Sequence, residues 1–191
     1  MTIYDTPEGV EEYVAMAQGY DGRTHIERLN QLLHPGASVL ELGIGPGVDL
    51  DLLAQRYQVV GSDLSQTFLD RYARRRPSAE LMQLDAITID TDRRFDAIYS
   101  NKVLHHLTTE QLTRSLQRQA ALIRPTGLLL HGLWVGDQAQ DHHGLHNQQY
   151  TAQTFAAVVP PVLETVEWTL YQEMTVDDSV RVVLRLASQN R

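Results

Sequence analysis

The sequence predicts a single α/β domain built on a mostly parallel sheet with helices on both faces. Its length of 191 residues is that of one domain. From residue 37 to 134, short apolar segments of strand type alternate with helical segments, and strands joined through helices lie parallel in a sheet covered on both faces. The last two strand-like segments are joined by so short a link that they must be antiparallel neighbours. The expected architecture therefore has three layers and ends in an antiparallel hairpin.

Residues 1–35 are expected to form a helical cap. Val10, Tyr13 and Ala17 recur with the spacing of an amphipathic helix. A second helix follows and stops before Pro35. Both helices precede the first strand, so the cap is expected to lie against the sheet that follows.

The alternating region predicts five strands and three helices. The strands are expected at 37–42, 59–63, 81–85, 95–100 and 128–134, and the helices at 48–57, 67–75 and 109–123. Pro125 and Gly127 are expected to break the chain before the fifth strand. Beyond it we expect a polar, irregular loop, a short helix and two final strands, at 136–150, 151–159, 162–173 and 179–187 respectively.

The composition excludes several kinds of chemistry. The chain contains no cysteine, which excludes thiol catalysis, disulfides, iron–sulfur clusters and Cys-based zinc sites. A net charge of −8 opposes attraction to phosphate backbones, so nucleic acid is not an expected partner. The basic run from Arg71 to Arg76 is interpreted as the solvated face of a helix. Neither a secretory signal nor an apolar run of about 20 residues is visible, so we expect a cytoplasmic protein that does not bind membranes.

A glycine-rich turn joins the first predicted strand to the helix after it. Gly43, Gly45 and Gly47 follow the pattern G-x-G-x-G, and Val48 stands where a dinucleotide-binding turn has its third glycine. Such a turn lies at the carboxyl edge of a parallel sheet, where ligands bind. Glycine lets the backbone approach a ligand closely. A tight strand–helix turn without a ligand is the alternative interpretation.

Three acids lie at the ends of three consecutive predicted strands. Asp63 follows Gly43 by 20 residues and is placed to accept both hydrogen bonds of a ribose diol. Asp85 is placed to accept a hydrogen bond from an exocyclic amine such as that of adenine. Together with Glu41, these carboxylates oppose a pyrophosphate and favour a cofactor with cationic character. A polar ligand explains acids at these positions better than packing does.

These segments resemble the motifs of the class I S-adenosylmethionine-dependent methyltransferases. The similar segments are the glycine motif, the ribose-binding strand, the adenine-contacting segment, the fourth-strand motif and the approach to the fifth strand, at residues 39–47, 60–63, 84–86, 95–107 and 122–128. Thr126 departs from the family, in which a second glycine is common. The resemblance covers roughly residues 10–187 and specifies the cofactor rather than the acceptor. It implies a Rossmann-like, seven-stranded, mostly parallel sheet with an antiparallel last strand.

The resemblance also implies roles for individual residues in binding S-adenosylmethionine. Glu41 would organise the glycine turn, Asp63 would bind the ribose hydroxyls, and Asn101 would line the donor site near the reacting methyl group. The remaining expected cofactor residues are Gly43, Gly45, Gly47, Leu64, Asp85, Ala86, Tyr20 and Arg23. Of these, Arg23 would pair with the methionine carboxylate, and a tyrosine such as Tyr20 or Tyr13 would face the sulfonium. For Arg23 the alternative is a solvated surface position, and for Tyr13 it is packing on a helix.

Candidates for chemistry on the acceptor are fewer, because the cofactor carries the activated group and the protein supplies positioning and sometimes a base. Tyr13, His106, His142 and His143 are the candidate catalytic residues. His106 follows the fourth strand, where paired histidines are common in the family without a catalytic role. His142, His143 and His146 lie in the 136–150 loop, which is longer than most connections and is expected to act as a lid over the ligand edge. We expect no metal site there, since Gly144 interrupts the run and no helix fixes a pair of ligands. A mobile, solvated loop is the alternative interpretation of these histidines.

The sequence therefore predicts one domain over residues 1–191 that transfers a methyl group from S-adenosylmethionine to an O, N or S atom of a small molecule. The product of the cofactor would be S-adenosylhomocysteine. A non-catalytic or scaffolding protein that binds the same cofactor is the alternative. The sequence leaves the choice between monomer and homodimer open.

Overall fold

The computed structural model describes residues 4, 6–142 and 145–188. Its helices are α1 (Pro7–Met16), α2 (Arg23–Leu32), α3 (Val48–Leu53), α4 (Gln66–Arg75), α5 (Thr109–Leu122) and α6 (Ala152–Val158). Its strands are β1 (Ser38–Leu42), β2 (Gln58–Asp63), β3 (Glu80–Gln83), β4 (Phe95–Asn101), β5 (Ile123–Trp134), β6 (Ala139–His142), β7 (Leu145–Gln148), β8 (Leu163–Tyr171) and β9 (Ser179–Leu186).

Seven strands form one sheet in the order β3-β2-β1-β4-β5-β9-β8. β1 pairs in parallel with both β2 and β4, and β4 pairs in parallel with β5. β9 lies between β5 and β8 and is antiparallel to both. The mostly parallel sheet and the antiparallel last strand are thus confirmed. The strand order reverses between β1 and β4, and a crevice for a ligand opens at such a switch point, outside the carboxyl ends of the strands.

The core lies on both faces of the sheet, as the three-layer expectation requires. Adjacent residues of β4 point to opposite faces. Ile98 packs with Leu112 and Leu116 of α5, whereas Tyr99 packs with Leu29 of α2. All five side chains are fully buried. The two apolar layers hold the carboxyl edge of the sheet rigidly, which fixes the positions of the side chains that follow the strands.

The structure corrects the expected loop over residues 136–150. This segment contains a two-stranded antiparallel hairpin of β6 and β7, in which Ala139 pairs with Gln148 and Asp141 with His146. Its strands lack the apolar alternation by which a half-buried strand is recognised, so the sequence pattern does not predict them.

Other boundaries differ by smaller amounts. α3 ends at Leu53 rather than at residue 57, and β3 ends at Gln83 rather than at residue 85. β5 begins at Ile123, before Pro125, because Ile123 already pairs with Phe95 while the next residues leave the ladder until Leu128. In the part of the chain that the structure describes, no helix is both long and apolar enough to cross a membrane.

Candidate functional site

A cleft with two adjoining lobes opens at the carboxyl ends of β1, β2 and β4. The first lobe has a volume of about 300 Å³ and is lined by Tyr20, Glu41 and Asn101 among others. The second lobe has a volume of about 280 Å³ and is lined by Asp63 and Asp85 among others. Several residues line both lobes, namely Tyr4, Tyr13, Gly43, Gly45, Lys102, Val103 and His106. The volumes and the position are those of a small-molecule site.

The glycine turn forms the floor between the lobes. Gly43, Gly45 and Gly47 have φ values of +72°, +46° and +80°, which side chains other than hydrogen rarely tolerate. A Cβ on Gly43 would also overlap Val103, and one on Gly47 would overlap the ring of Tyr72. Gly47 does not line either lobe, and it instead fixes the start of α3. The turn therefore exposes backbone to the cleft at Gly43 and Gly45.

Asp63, the last residue of β2, is held by the backbone on both carboxylate oxygens. The N–H of Gly45 donates to Oδ2 at 3.0 Å, and the N–H of Ser65 donates to Oδ1 at 2.9 Å. Burial raises the pKa of Asp63, and these backbone hydrogen bonds oppose the rise. Each oxygen retains a lone pair, so the fixed carboxylate can accept two hydrogen bonds from a diol in the second lobe.

The rest of the second lobe suits a flat aromatic group. Asp85 lies two residues beyond the end of β3, and its Oδ1 accepts a hydrogen bond from the N–H of Ile87 at 2.7 Å. Leu64 lines the lobe although its side chain is 65% exposed. Ala86 and Leu84 add apolar surface. An exposed leucine beside a fixed carboxylate is typical of a pocket that covers an apolar ring and binds its polar edge.

Glu41 lies at the bottom of the first lobe. It is only 3% exposed, and its Oε2 has no hydrogen-bond partner among the described residues. Burial raises the pKa of Glu41 well above its usual value, and the charges of Asp49 and Asp63 raise it further. A buried carboxyl oxygen without a partner indicates that a ligand donor completes the site.

Asp49 is a site residue that the sequence analysis missed. It lies in the first turn of α3 and is buried, and its carboxylate accepts hydrogen bonds from the N–H of Gly22 at 2.6 Å and from the hydroxyl of Tyr99 at 2.6 Å. Asn101 donates to the same carboxylate at 3.3 Å, which leaves Asn101 Oδ1 buried and without a partner. Burial raises the pKa of Asp49 and the hydrogen bonds oppose the rise. The sequence feature that could have identified Asp49 is its position as an acid in the first helical turn after the glycines.

The structure places the three N-terminal candidates differently. Tyr13 lines both lobes and packs edge-on against Tyr4, with ring centroids 5.2 Å apart. Tyr20 lines the first lobe and is 47% exposed. Arg23 lines neither lobe, and its exposed guanidinium lies 3.3 Å from Asp21. The interpretation of Arg23 as a surface residue thus fits its position better than the interpretation as a carboxylate partner.

His106 lies at the junction of the lobes. Its Nδ1 is 2.7 Å from the carbonyl oxygen of His146 in β7. Because a carbonyl only accepts, Nδ1 carries the proton and Nε2 of the neutral ring keeps a lone pair. Burial lowers the pKa of His106, although the bond to His146 opposes this. The ring is therefore neutral near pH 7 and can accept a proton at Nε2.

The other loop histidines are less informative. His143 lies outside the described residues, and of His142 only the backbone, in β6, is described. The side chain of His146 pairs with Asp141 at 2.9 Å. Among the described residues, no group of three or more His, Asp or Glu side chains is arranged to hold a metal ion. The expected roles of His142 and His143 stay predictions.

A partly buried ion pair between Lys102 and Glu173 lines the first lobe and was also missed. Lys102 has a φ of +56°, which is unusual for a residue with a side chain. Its Nζ lies 3.2 Å from Glu173 Oε2 and 3.5 Å from the centroid of the Trp134 ring. Burial lowers the pKa of Lys102 to about 8, and Glu173 opposes the shift. Trp134 lines this lobe, whereas Tyr150 lies in the core against Phe155.

Comparisons with known proteins agree with this geometry. Residues 39–127 match the family described as "Methyltransferase domain". A similar solved structure is that of the N-methyltransferase NodS from Bradyrhizobium japonicum in complex with S-adenosyl-l-homocysteine. The alignment covers 96% of this chain and 100% of the NodS chain, with 19% identity and a TM-score of 0.73. The family match supports a class I S-adenosylmethionine-dependent methyltransferase, and the solved structure shows that the chain shares its fold.

Curated relatives of the chain carry the names of methyltransferases for different acceptors. A probable tRNA methyltransferase 9B from Bos taurus is 28% identical over 73% of the chain and 30% of its own length. A trans-aconitate 2-methyltransferase from Variovorax paradoxus is 36% identical over 51% of the chain and 38% of its own length. The chain thus spans about a third of the length of these curated relatives. The relatives therefore leave the class of acceptor open.

The cofactor of the family, S-adenosylmethionine, fits the described residues. The second lobe offers Asp63 to ribose hydroxyls and an apolar surface to adenine. The first lobe offers the unpartnered oxygens of Glu41 and Asn101, which match the donors of an α-ammonium group. A cationic sulfonium also suits a lobe with Glu41 and Asp49 in its wall. The sites that the sequence assigned to the cofactor thus adjoin one cleft, with Arg23 and Gly47 outside its lining.

Proposed function

We propose that this methyltransferase transfers a methyl group from S-adenosylmethionine to a small-molecule acceptor bound in the first lobe. When bound, the cofactor supplies an activated methyl group. The observation that carries the proposal is the position of His106, which lines both the lobe suited to adenosine and the lobe with room for an acceptor and keeps a lone pair on Nε2. Asp63 and Asp85 would bind the nucleoside, and Glu41 and Asn101 the methionine end.

In this proposal His106 is the general base. It would accept the proton that the acceptor atom loses when it is methylated, because its ring is neutral and its orientation is fixed by the His146 carbonyl. Tyr13 would shield the junction from water, since its ring is packed between Tyr4 and Phe68. The hairpin of β6 and β7, which supplies His146, would act as the lid over the cleft.

A small molecule is favoured over nucleic acid by the distribution of charge. The basic run on α4 is largely paired, since Arg71 contacts Glu11 and both Arg75 and Arg76 contact Asp51. The two carboxylates offset two of these three positive charges, which weakens the attraction of this surface for phosphates. In the described part of the chain, the first lobe of the cleft is lined by four acids and one lysine.

The test is a two-stage measurement on the full chain. Calorimetry should show binding of S-adenosylhomocysteine and no binding of NAD. A panel of small amines, alcohols, thiols and carboxylic acids, together with a pool of tRNA, is then incubated with labelled S-adenosylmethionine and analysed by mass. Label on a small molecule supports the proposal. Label on tRNA alone would overturn the acceptor class, and cofactor binding without any labelled product would favour the scaffolding alternative.

A further inference from the structure

The first lobe offers an incoming molecule hydrogen-bond acceptors and few donors. Among the described residues that line it, the acids are Asp21, Glu41, Asp49 and Glu173, and Lys102 is the base apart from the two histidines. A ligand that completes such a wall must bring hydrogen-bond donors. The methionine end of the cofactor accounts for Glu41 and Asn101. It does not account for Glu173, which comes from the connection between β8 and β9 on the other side of the lobe.

Lys102 is fully occupied by the protein. Its ammonium has three donors, and Nζ lies 3.1 Å from the carbonyl oxygen of Leu133, 2.7 Å from Ser179 Oγ and 3.2 Å from Glu173 Oε2. The strained backbone at Lys102 holds this arrangement in place. No donor is therefore left to bind an anionic acceptor. Lys102 acts instead as the support on which Glu173 rests.

Glu173 lines the lobe and contacts the protein through one of its carboxylate oxygens. Its Oε2 accepts from the hydroxyl of Tyr171 at 3.1 Å as well as from Lys102. Its Oε1 has no hydrogen-bond partner among the described residues, although the side chain is only 17% exposed. A carboxylate fixed through one oxygen and open at the other is a preorganised acceptor of hydrogen bonds.

A second, independent feature lies on the same side of the lobe. His105 is 4% exposed and lines the lobe, and its buried Nδ1 has no partner among the described residues. Its ring centroid is 3.9 Å from that of His106. Burial lowers the pKa of His105 well below its usual value, and the neighbouring His106 and Lys102 lower it further. Both rings are thus neutral, and with Glu173 they form a set of groups that a donor-rich ligand would satisfy.

The walls of the lobe suit a cationic or amine group as well. Trp134, Tyr4, Tyr13 and Tyr20 all line it. The faces of such rings attract cations, and the Lys102 ammonium already lies over the Trp134 ring at 3.5 Å. A carboxylate or phosphate on the acceptor would instead be repelled by the carboxylates of the lobe and by the partly negative faces of its aromatic rings.

From this arrangement we propose that the acceptor atom is the nitrogen of a primary amine, whose two N–H groups donate to Glu173 Oε1 and to His106 Nε2. This inference rests on the proposed function and names its substrate class. With both N–H groups held, the nitrogen lone pair is directed to the methyl group. The new N–C bond forms as the S–C bond breaks, S-adenosylhomocysteine leaves, and the proton lost by the nitrogen passes to His106 Nε2.

The test uses binding rather than turnover. The full chain is saturated with S-adenosylhomocysteine and titrated with benzylamine, benzyl alcohol and benzoate, three probes of similar size that differ in the group on the ring. Benzylamine should bind at least tenfold more tightly than the other two. Equal binding of the three, tighter binding of benzoate or benzyl alcohol, or no binding of benzylamine would overturn the inference. Failure to bind S-adenosylhomocysteine in the first place would count against the proposed function instead.

Variants test whether Glu173 is the residue responsible. Glu173→Gln should weaken benzylamine binding at least fivefold and leave the affinity for S-adenosylhomocysteine within twofold. The matched control is Glu164→Gln on β8, which removes a surface carboxylate paired with Arg185 at 2.7 Å and should change neither affinity. If Glu173→Gln lowers the midpoint of urea unfolding too far to be used, the three-probe comparison on the parent protein decides by itself. A folded Glu173→Gln variant that keeps full benzylamine affinity would refute the assignment.

Discussion

Replacing Asp63 with alanine should weaken the binding of S-adenosylhomocysteine without unfolding the protein. The side chain ends β2 in the second lobe, and its two oxygens are fixed by the N–H groups of Gly45 and Ser65. Alanine removes the acceptor of the ribose diol and leaves two backbone donors. Both donors lie at an open cleft, so water can replace the carboxylate there.

The magnitude follows from the number of hydrogen bonds lost. A hydrogen bond to a charged group contributes about 1.5–3 kcal/mol net, and a ribose diol makes two. The cleft is open to water and each oxygen is shared with a backbone donor, which reduces the sum to about 2–4 kcal/mol. At about 1.4 kcal/mol for each factor of ten, the dissociation constant should rise roughly 30-fold to 800-fold. Asp85→Ala, which removes one contact to an amine, should cost less.

The assay is isothermal titration of S-adenosylhomocysteine into the parent protein, Asp63→Ala and a control. The control is Asp70→Ala, which removes an exposed carboxylate on α4 that contacts Gln66 at 2.7 Å and lines neither lobe. Urea unfolding of all three proteins separates loss of binding from loss of fold. Parental affinity in folded Asp63→Ala would refute the assignment of the ribose to this residue, and equal losses in both variants would indicate a general effect of charge.

Four further outcomes are expected. Gly47→Ala should lower the free energy of unfolding by more than about 2 kcal/mol in urea titrations, because its Cβ would overlap Tyr72, whereas Gly36→Ala, with φ of +78° and open space around it, should cost only about 1 kcal/mol. Glu41→Gln should stabilise the ligand-free protein by about 1–3 kcal/mol at pH 8, and this gain should shrink toward pH 4. Burial raises the pKa of the folded Glu41 carboxyl above its unfolded value of about 4.3. The parent protein therefore loses stability as the pH rises through the folded pKa, and the variant does not. His106→Ala should lower turnover of an identified acceptor by about 10²–10⁴ in a mass-based assay while titration shows unchanged affinity for S-adenosylhomocysteine. NAD should give no heat in the same titration. A measurable NAD affinity would contradict the interpretation of the glycine turn as a site for S-adenosylmethionine rather than for a dinucleotide.

The parts of the site that could be predicted from the sequence are those carried by short segments. The turn from Gly43 to Gly47 and the acid at Asp63 each follow a recognisable strand, and in a parallel sheet all strand ends meet at one edge. That the glycine turn and Asp63 lie close together follows from the topology alone. The same logic placed Asp85 correctly in the second lobe, although β3 ends two residues before it.

The parts that could not be predicted depend on contacts between distant residues. The partners of Asp49, Gly22 and Tyr99, are 27 and 50 residues away along the chain, and no local pattern links them. The pairing of Lys102 with Glu173 likewise requires β9 to lie beside β5. Arg23 is the first residue of α2, and periodicity does not say where an arginine at the first position of a helix directs its side chain.

The contact between the hairpin and His106 shows how the proposed role of His106 as a base can depend on the backbone of a neighbouring residue rather than on its side chain. The group that fixes the tautomer of His106 is the main-chain carbonyl of His146, and any residue at that position would supply it. What the sequence must specify is the position of β7, which follows from its pairing with β6 and from the contact of Asp141 with the His146 ring at 2.9 Å. The sequence pattern favours the hairpin histidines for the chemistry of their side chains, whereas in the structure His146 contacts His106 through its backbone carbonyl. A lid that carries the orienting carbonyl would couple closure of the cleft to the readiness of the base.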